Sequence, residues 1–180
     1  MAKGNGLIPE EIVKLLNYRI NQEELSARLY YAMSEWLENK GYFGAAGMIK
    51  RWSDEETIHA NWAVDFLEAY DYLPEIGALE DVPTEYKSLK DCISKSYDHE
   101  VEITDQCNEL ASRVVKASCF CAMPLALKYM HEQTDELEKT NKWLTRVSMV
   151  ADDPRELMLI DREMGGGDCG GCEPTMKSSY

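Results

Sequence analysis

The chain is poor in residues that interrupt regular structure, with 11 glycines and 6 prolines among 180 residues, grouped at a few points. A sandwich or barrel needs many turns, so this shortage argues against both and for long regular elements. Positive charge is scarce too: 19 basic residues face 33 acidic ones, for a formal net charge of -14, and the basic residues do not cluster. Such a chain repels nucleic-acid phosphate and anionic lipid and attracts cations. No run approaches the roughly 18 consecutive apolar residues that a membrane span requires, and the start, Met1 to Gly6, lacks the apolar core of a signal peptide. The expectation is a cytoplasmic protein with no nucleic-acid or membrane partner. In that compartment Cys92, Cys107, Cys119, Cys121, Cys169 and Cys172 remain reduced.

What is present is helical periodicity. A hydrophobic content of 44% is enough for a full core, expected as one domain over residues 1–164 with a flexible Gly/Cys tail over 165–180. From Pro9 to about Lys40 a seam in steps of three and four reads Val13, Leu16, Ile20, Glu23, Ala27, Tyr30, Ser34, Leu37. Gly41 closes that helix, and a second runs from Gly44 to near Asp71 with Ala45, Ile49, Trp52, Glu56, His59, Ala63, Phe66 and Tyr70 on its seam. The short connection makes the pair antiparallel. Residues Tyr72 to Tyr86 carry two prolines and no helical period, yet are too apolar for a disordered linker. They read as an ordered crossover along the length of a bundle.

The third helix, about Ser88 to Lys116, has the seam Leu89, Ile93, Ser96, Glu100, Ile103, Cys107, Leu110, Val114. The fourth runs to about Val150, with Pro124 in its first turn and Ala122, Ala126, Tyr129, Gln133, Glu136, Thr140, Trp143, Val147 and Val150 facing inward. Asp152 or Asp153 caps a short fifth helix that begins at Pro154 and stops at Gly165. The fold class is therefore all-α: a four-helix bundle with a long crossover between helices 2 and 3 and a short C-terminal helix.

Each long helix places an acid near the middle of its buried stripe: Glu23, Glu56 with His59, Glu100, and Glu136 with Gln133. An unpaired ionised carboxylate in a dry core costs on the order of several kcal/mol, so a compensating positive charge is required. Glu56-x-x-His59 by itself is a weak signal. Four acids at one depth are accounted for together by a shared cation. Oxygen donors with one imidazole suit a first-row metal such as iron, not a thiolate zinc or copper(I) site. With Glu56 bridging, the arrangement is that of a dinuclear site in a four-helix bundle.

The stretches Asn21 to Tyr30, Gly44 to Gly47, Asp54 to His59, Glu100 with Asn108 to Leu110, and His131 to Glu136 together resemble the non-haem ferritins of the bacterial type. The resemblance covers about residues 9–164. It implies a ferritin-like bundle in which Glu23, Glu56 and His59 hold a first iron, and Glu56, Glu100 and Glu136 a second, with Gln133 beside it. Tyr30 matches the family's central tyrosine, an electron donor. A third iron position falls on Glu55, Glu132, Asp135 and Glu136. Two departures stand out: Asp135 replaces the usual glutamate and shortens a ligand arm, and Lys128 stands where an aromatic residue is common. No haem is expected, because Thr57 occupies the position of the haem methionine in bacterioferritin and Glu132 is followed by Asp135 rather than by histidine.

The implied function is iron storage and detoxification: a ferroxidase that uses iron(II) and dioxygen and deposits ferric mineral in a homo-oligomeric cage of about 24 subunits. The alternative is a cage subunit that stores mineral without oxidase activity. A metal-free helical module and a rubrerythrin-like peroxide reductase find less support, since Cys169 and Cys172 alone are too few for a mononuclear thiolate site. His99 and His131 read as ordinary, partly exposed side chains, Cys107 as a small buried hydrophobe, and Trp52 and Trp143 as core filling.

Overall fold

The computed structural model describes residues 4, 6–150 and 153–166; the Cys169/Cys172 tail and Asp152 lie outside them. All regular structure among the described residues is helical: α1 (Glu10–Asn39), α2 (Phe43–Ala69), α3 (Leu89–Lys116), α4 (Met123–Ser148) and α5 (Pro154–Met164), with a 3-10 turn at Phe120–Ala122 before α4. No helix in this set is long and apolar enough to cross a membrane.

Helix ends follow from backbone chemistry. Pro9 precedes α1, and Glu10 and Glu11 place negative charge in its first turn, where the unpaired amides are. Gly41, at φ 87°, lets Tyr42 N–H reach back to Leu37 O at 3.0 Å, which terminates the helix and turns the chain. The same reach-back ends α2 and α3, but there Asp71 (φ 59°) and Ser118 (φ 51°) take the left-handed conformation. Ser88 caps α3 by accepting from Asp91 N–H at 3.1 Å, and Asp153 caps α5 through Arg155 N–H at 2.8 Å.

α1 packs chiefly on α2 and α3 on α4. The crossover of residues 70–88 has no regular structure but is tied to α1 along its length. Glu75 N–H donates to Asn17 Oδ1 at 2.9 Å, Asn21 Nδ2 to Ala78 O at 3.2 Å, and Trp36 Nε1 to Glu85 Oε2 at 3.1 Å. From Asn17 to Trp36 is about 28 Å of helix at about 1.5 Å per residue, so the crossover spans most of the bundle. Tyr86 then packs edge-on against Trp36 with ring centres 5.5 Å apart, and α3 starts at that end.

The α5 helix docks where α2 begins. Ala45 N–H donates to Asp161 Oδ1 at 2.8 Å, and a Cβ on Gly44 would lie 1.7 Å from Asp161 O, so only glycine admits the contact. Arg146 of α4 clamps Glu163 with both carboxylate oxygens, at 2.6 and 2.7 Å.

The interior falls into two apolar clusters at opposite ends of the bundle. One gathers Met33, Leu37, Ile49, Trp52, Leu89 and Ile93 with Ile160 and Met164 of α5; the other gathers Ile12, Leu16, Ile20, Leu67, Leu110 and Val114. Between them lies a layer of buried polar side chains: Arg19, Glu23, Ser26, Glu56, His59, Glu100, Gln133 and Glu136.

Candidate metal centre

The seam register puts the acids at one depth, because each long helix reaches mid-length with a glutamate on its inward face. Glu23 Oε, Glu56 Oε and His59 N lie within 4.8 Å of one another, all buried. That spacing is within a few tenths of an ångström of the roughly 4.4 Å that can separate two donors each about 2.2 Å from one ion. A second cluster within the same limit is His59, Glu132 and Glu136. His59 joins the two: Nδ1 is 3.0 Å from Glu56 Oε2, and Nε2 faces Glu132 Oε1 at 3.8 Å. Tyr129 OH donates to His59 O at 2.8 Å, and the Trp62 ring lies 4.6 Å from the imidazole, which fixes its orientation.

Glu100 is held differently. Tyr30 OH donates to one carboxylate oxygen and Gln133 Nε2 to the other at 2.7 Å, so Glu100 stands beside both clusters without entering either. Tyr30 is itself wedged edge-on against Trp52, ring centres 5.8 Å apart. The residues expected at a third position are more open. Glu55, at 49% side-chain exposure, points to Lys139, Glu132 faces His59, and Asp135 is half-buried.

Two cations of the chain enter this layer, and the seam pattern missed both. Arg19 donates through Nη2 to Glu23 and through Nη1 to Gln106 Oε1 at 2.6 Å, while its buried Nε makes no hydrogen bond. Lys139 Nζ lies 2.8 Å from Glu55 Oε2 and 2.9 and 2.7 Å from Glu136 Oε1 and Oε2. The compensating charge that the sequence demands is thus supplied in part by protein. Their spacing, four before Glu23 and three after Glu136, was visible, but exposed helices carry such pairs routinely and it could not mark them as interior.

Burial sets the proton inventory. Glu56 is held well above the usual carboxylate range by desolvation and then by repulsion from Glu23, Glu100 and Glu136. Glu136 is pushed up to about 7 by burial, against the pull of Lys139. Glu100 is raised by burial despite the hydrogen bonds from Tyr30 and Gln133. Desolvation lowers His59, which keeps its imidazole neutral and available as a ligand. Burial, then Glu100, lifts Tyr30 well above the ordinary phenol range, so it stays a donor. Lys139 is disfavoured by desolvation, but Glu136 and Glu55 overcome this and hold the ammonium charged. Neutral acids in a metal-free layer are proton sources: a cation that enters displaces those protons.

The residues weighed as bystanders divide. His131 is exposed, whereas His99 is half-buried and bonded through Nε2 to Ser26 Oγ at 2.7 Å. Cys107 is buried. Lys128 lies over Trp62, 3.7 Å from the ring centre, so an aromatic side chain stands beside the layer even though position 128 carries none.

Comparison with known proteins agrees with this architecture. Residues 13–150 match the ferritin-like domain. The chain is 33% identical over 159 residues to a probable bacterial non-heme ferritin-like protein of Haemophilus influenzae, covering 88% of this chain and 96% of that one. Against the bacterial non-heme ferritin of Campylobacter jejuni it is 28% identical over 156 residues, covering 87% and 93%. The open pore ferritin of Archaeoglobus fulgidus superposes with a TM-score of 0.86 at 27% identity, over 88% of this chain and 98% of that one. With four helices, a crossover and a shared carboxylate layer in place, the chain belongs to the ferritin family.

Proposed function

We propose that this protein is a ferroxidase and iron-storage subunit. The observation that carries the reading is the convergence of Glu23, Glu56 and His59 within 4.8 Å inside a dry bundle, with Glu100 and Glu136 from the opposite helix pair in the same layer. Glu23, Glu56 and His59 take one iron(II); Glu56, Glu100 and Glu136 take the other, with Gln133 orienting Glu100. Hard carboxylate oxygens favour the ferric over the ferrous state, so the layer lowers the cost of oxidation as dioxygen accepts an electron from each ion. In this reading Tyr30, supported by its hydrogen bond to Glu100, supplies a further electron.

The ferric product leaves for a mineral inside a cytoplasmic cage of about 24 subunits, the closed assembly that the family resemblance implies. A net charge of -14 draws iron(II) toward such a shell. Aerobic iron(II) oxidation followed by absorbance tests the reading. The wild type oxidises far faster than Glu56→Ala; equal rates leave storage alone.

A further inference from the structure

The position expected to take a third iron already contains a cation that belongs to the chain. Lys139 Nζ lies 2.8 Å from Glu55 Oε2 on α2 and 2.9 and 2.7 Å from the two Glu136 oxygens on α4. An ammonium has three donors and no acceptor, and two of them are committed here, one to Glu55 and one to Glu136, with the second Glu136 oxygen in ion-pair range. It bridges carboxylates of two helices, which is what a metal ion would do there. The Trp52 ring, 5.1 Å from Nζ, adds a further face that favours positive charge. Two other features work in the same direction: Asp135 offers a shorter arm than glutamate, and Glu132 turns toward His59.

We infer that Lys139 is the resident occupant of the third cation position, so that each subunit takes iron(II) at two positions and not at three. An incoming dication must expel the ammonium from Glu55 and Glu136 or settle beside it against like charge. The Glu23, Glu56 and His59 cluster lies apart from these contacts, and at Glu136 the second iron(II) takes one oxygen while Lys139 keeps its hold on the other and on Glu55. The consequence is a subunit whose oxidised iron has no protein-bound stop between the two-ion layer and the mineral. This inference rests on the ferroxidase reading above.

The test is anaerobic titration of the assembled full-length protein with iron(II), and with zinc(II) as a redox-inert probe, followed by calorimetry. Anomalous difference maps of soaked crystals then locate the ions. The wild type binds about two ions per subunit, while Lys139→Met and Lys139→Gln bind about three, the added one among Glu55, Glu132 and Glu136 and at least about tenfold tighter than in wild type. The glutamine variant keeps a polar arm and removes only the charge. A third ion among Glu55, Glu132, Asp135 and Glu136 in the wild type overturns the inference, as does an unchanged count in both variants. The wild-type map decides this even if a variant fails to assemble. No ion at Glu23, Glu56 and His59 in the wild type would overturn the ferroxidase reading as well, and so is told apart from failure of the lysine assignment alone.

Discussion

On the α1/α2 flank of the polar layer, Glu23 pairs with Arg19, their side chains 3% and 1% exposed; on the α3/α4 flank, Glu136 pairs with Lys139, whose side chain keeps 29% exposure. Both flanks place a cation against a buried acid. The guanidinium is permanently charged and is boxed in by Gln106 and the Tyr129 ring, 5.5 Å from its centre. It cannot leave without exposing Glu23 to an uncompensated dry site. The ammonium is partly open to water and held by a second acid, Glu55, so water can take its place when it is removed by mutation. One flank therefore carries structural charge and the other replaceable charge.

The sharpest way to break this comparison is to remove the residue common to both flanks. Glu56→Ala should slow aerobic iron(II) oxidation by about 100- to 10,000-fold, since loss of a supporting partner alone costs about 10- to 100-fold per ion and Glu56 serves two in the proposed reading. A drop below about tenfold in stopped-flow absorbance would mean that the flanks act independently. Next in size, Arg19→Met should destabilise the metal-free protein by about 3–5 kcal/mol in chemical denaturation, because Glu23 is left buried and unpaired. Lys139→Met, at a site that water reaches, should cost about 1 kcal/mol or less. Equal losses for the two would erase the distinction between structural and replaceable charge.

Proton linkage offers a third measurement. Glu136 sits at about 7 in the fold against 4.5 for the free side chain, so between those values the native state binds more protons than the unfolded chain. The stability this contributes is present below pH 4.5 and is lost as pH rises through about 7, amounting to about 3 kcal/mol. Glu56, also raised, acts in the same direction. Denaturation midpoints of the chelator-treated protein should fall between pH 5 and pH 8, and zinc(II) should abolish or reverse the slope. Because His59, lowered by burial, opposes this slope, the check is Glu136→Gln, and a pH dependence unchanged in that variant contradicts the placement of Glu136. The smallest effect expected is for Tyr129→Phe, which removes the hydrogen bond to His59 O and should cost about 1 kcal/mol with little change in ion count.

Much of the fold was legible because the inward positions obey helical spacing: every seam residue read for α3, from Leu89 through Glu100 to Val114, is buried. The register drifts elsewhere. Ile12 and Leu67 are sealed where Val13 and Phe66 were expected, since a strict three-four alternation falls slightly behind a helix with 3.6 residues per turn, and between Glu23 and Tyr30 the inward step is to Ser26 and not to Ala27. The end of α3 was legible at Lys116 and that of α2 to within two residues of Ala69, although Asp71 and Ser118, not glycine, take the left-handed conformation that turns the chain there. In the layer, the acids and His59 announced themselves by being polar on an apolar stripe. Arg19 and Lys139 carried no such mark, since basic residues are ordinarily at the surface and their long stems let the charged tip reach far from the Cα.

The amino-acid sequence by itself determined which side chains face inward on each helix, and hence that four acids and an imidazole share one depth, because periodicity along a helix is a local property. Which of those acids come within a few ångströms of one another, which are tied to Tyr30, Gln133 or Arg19, and that Lys139 stands between Glu55 and Glu136 were decided only by tertiary structure. The physical reason is distance. A charge in a dry interior is governed by neighbours a few ångströms away, and those neighbours come from other helices whose separation along the chain does not encode their approach in space.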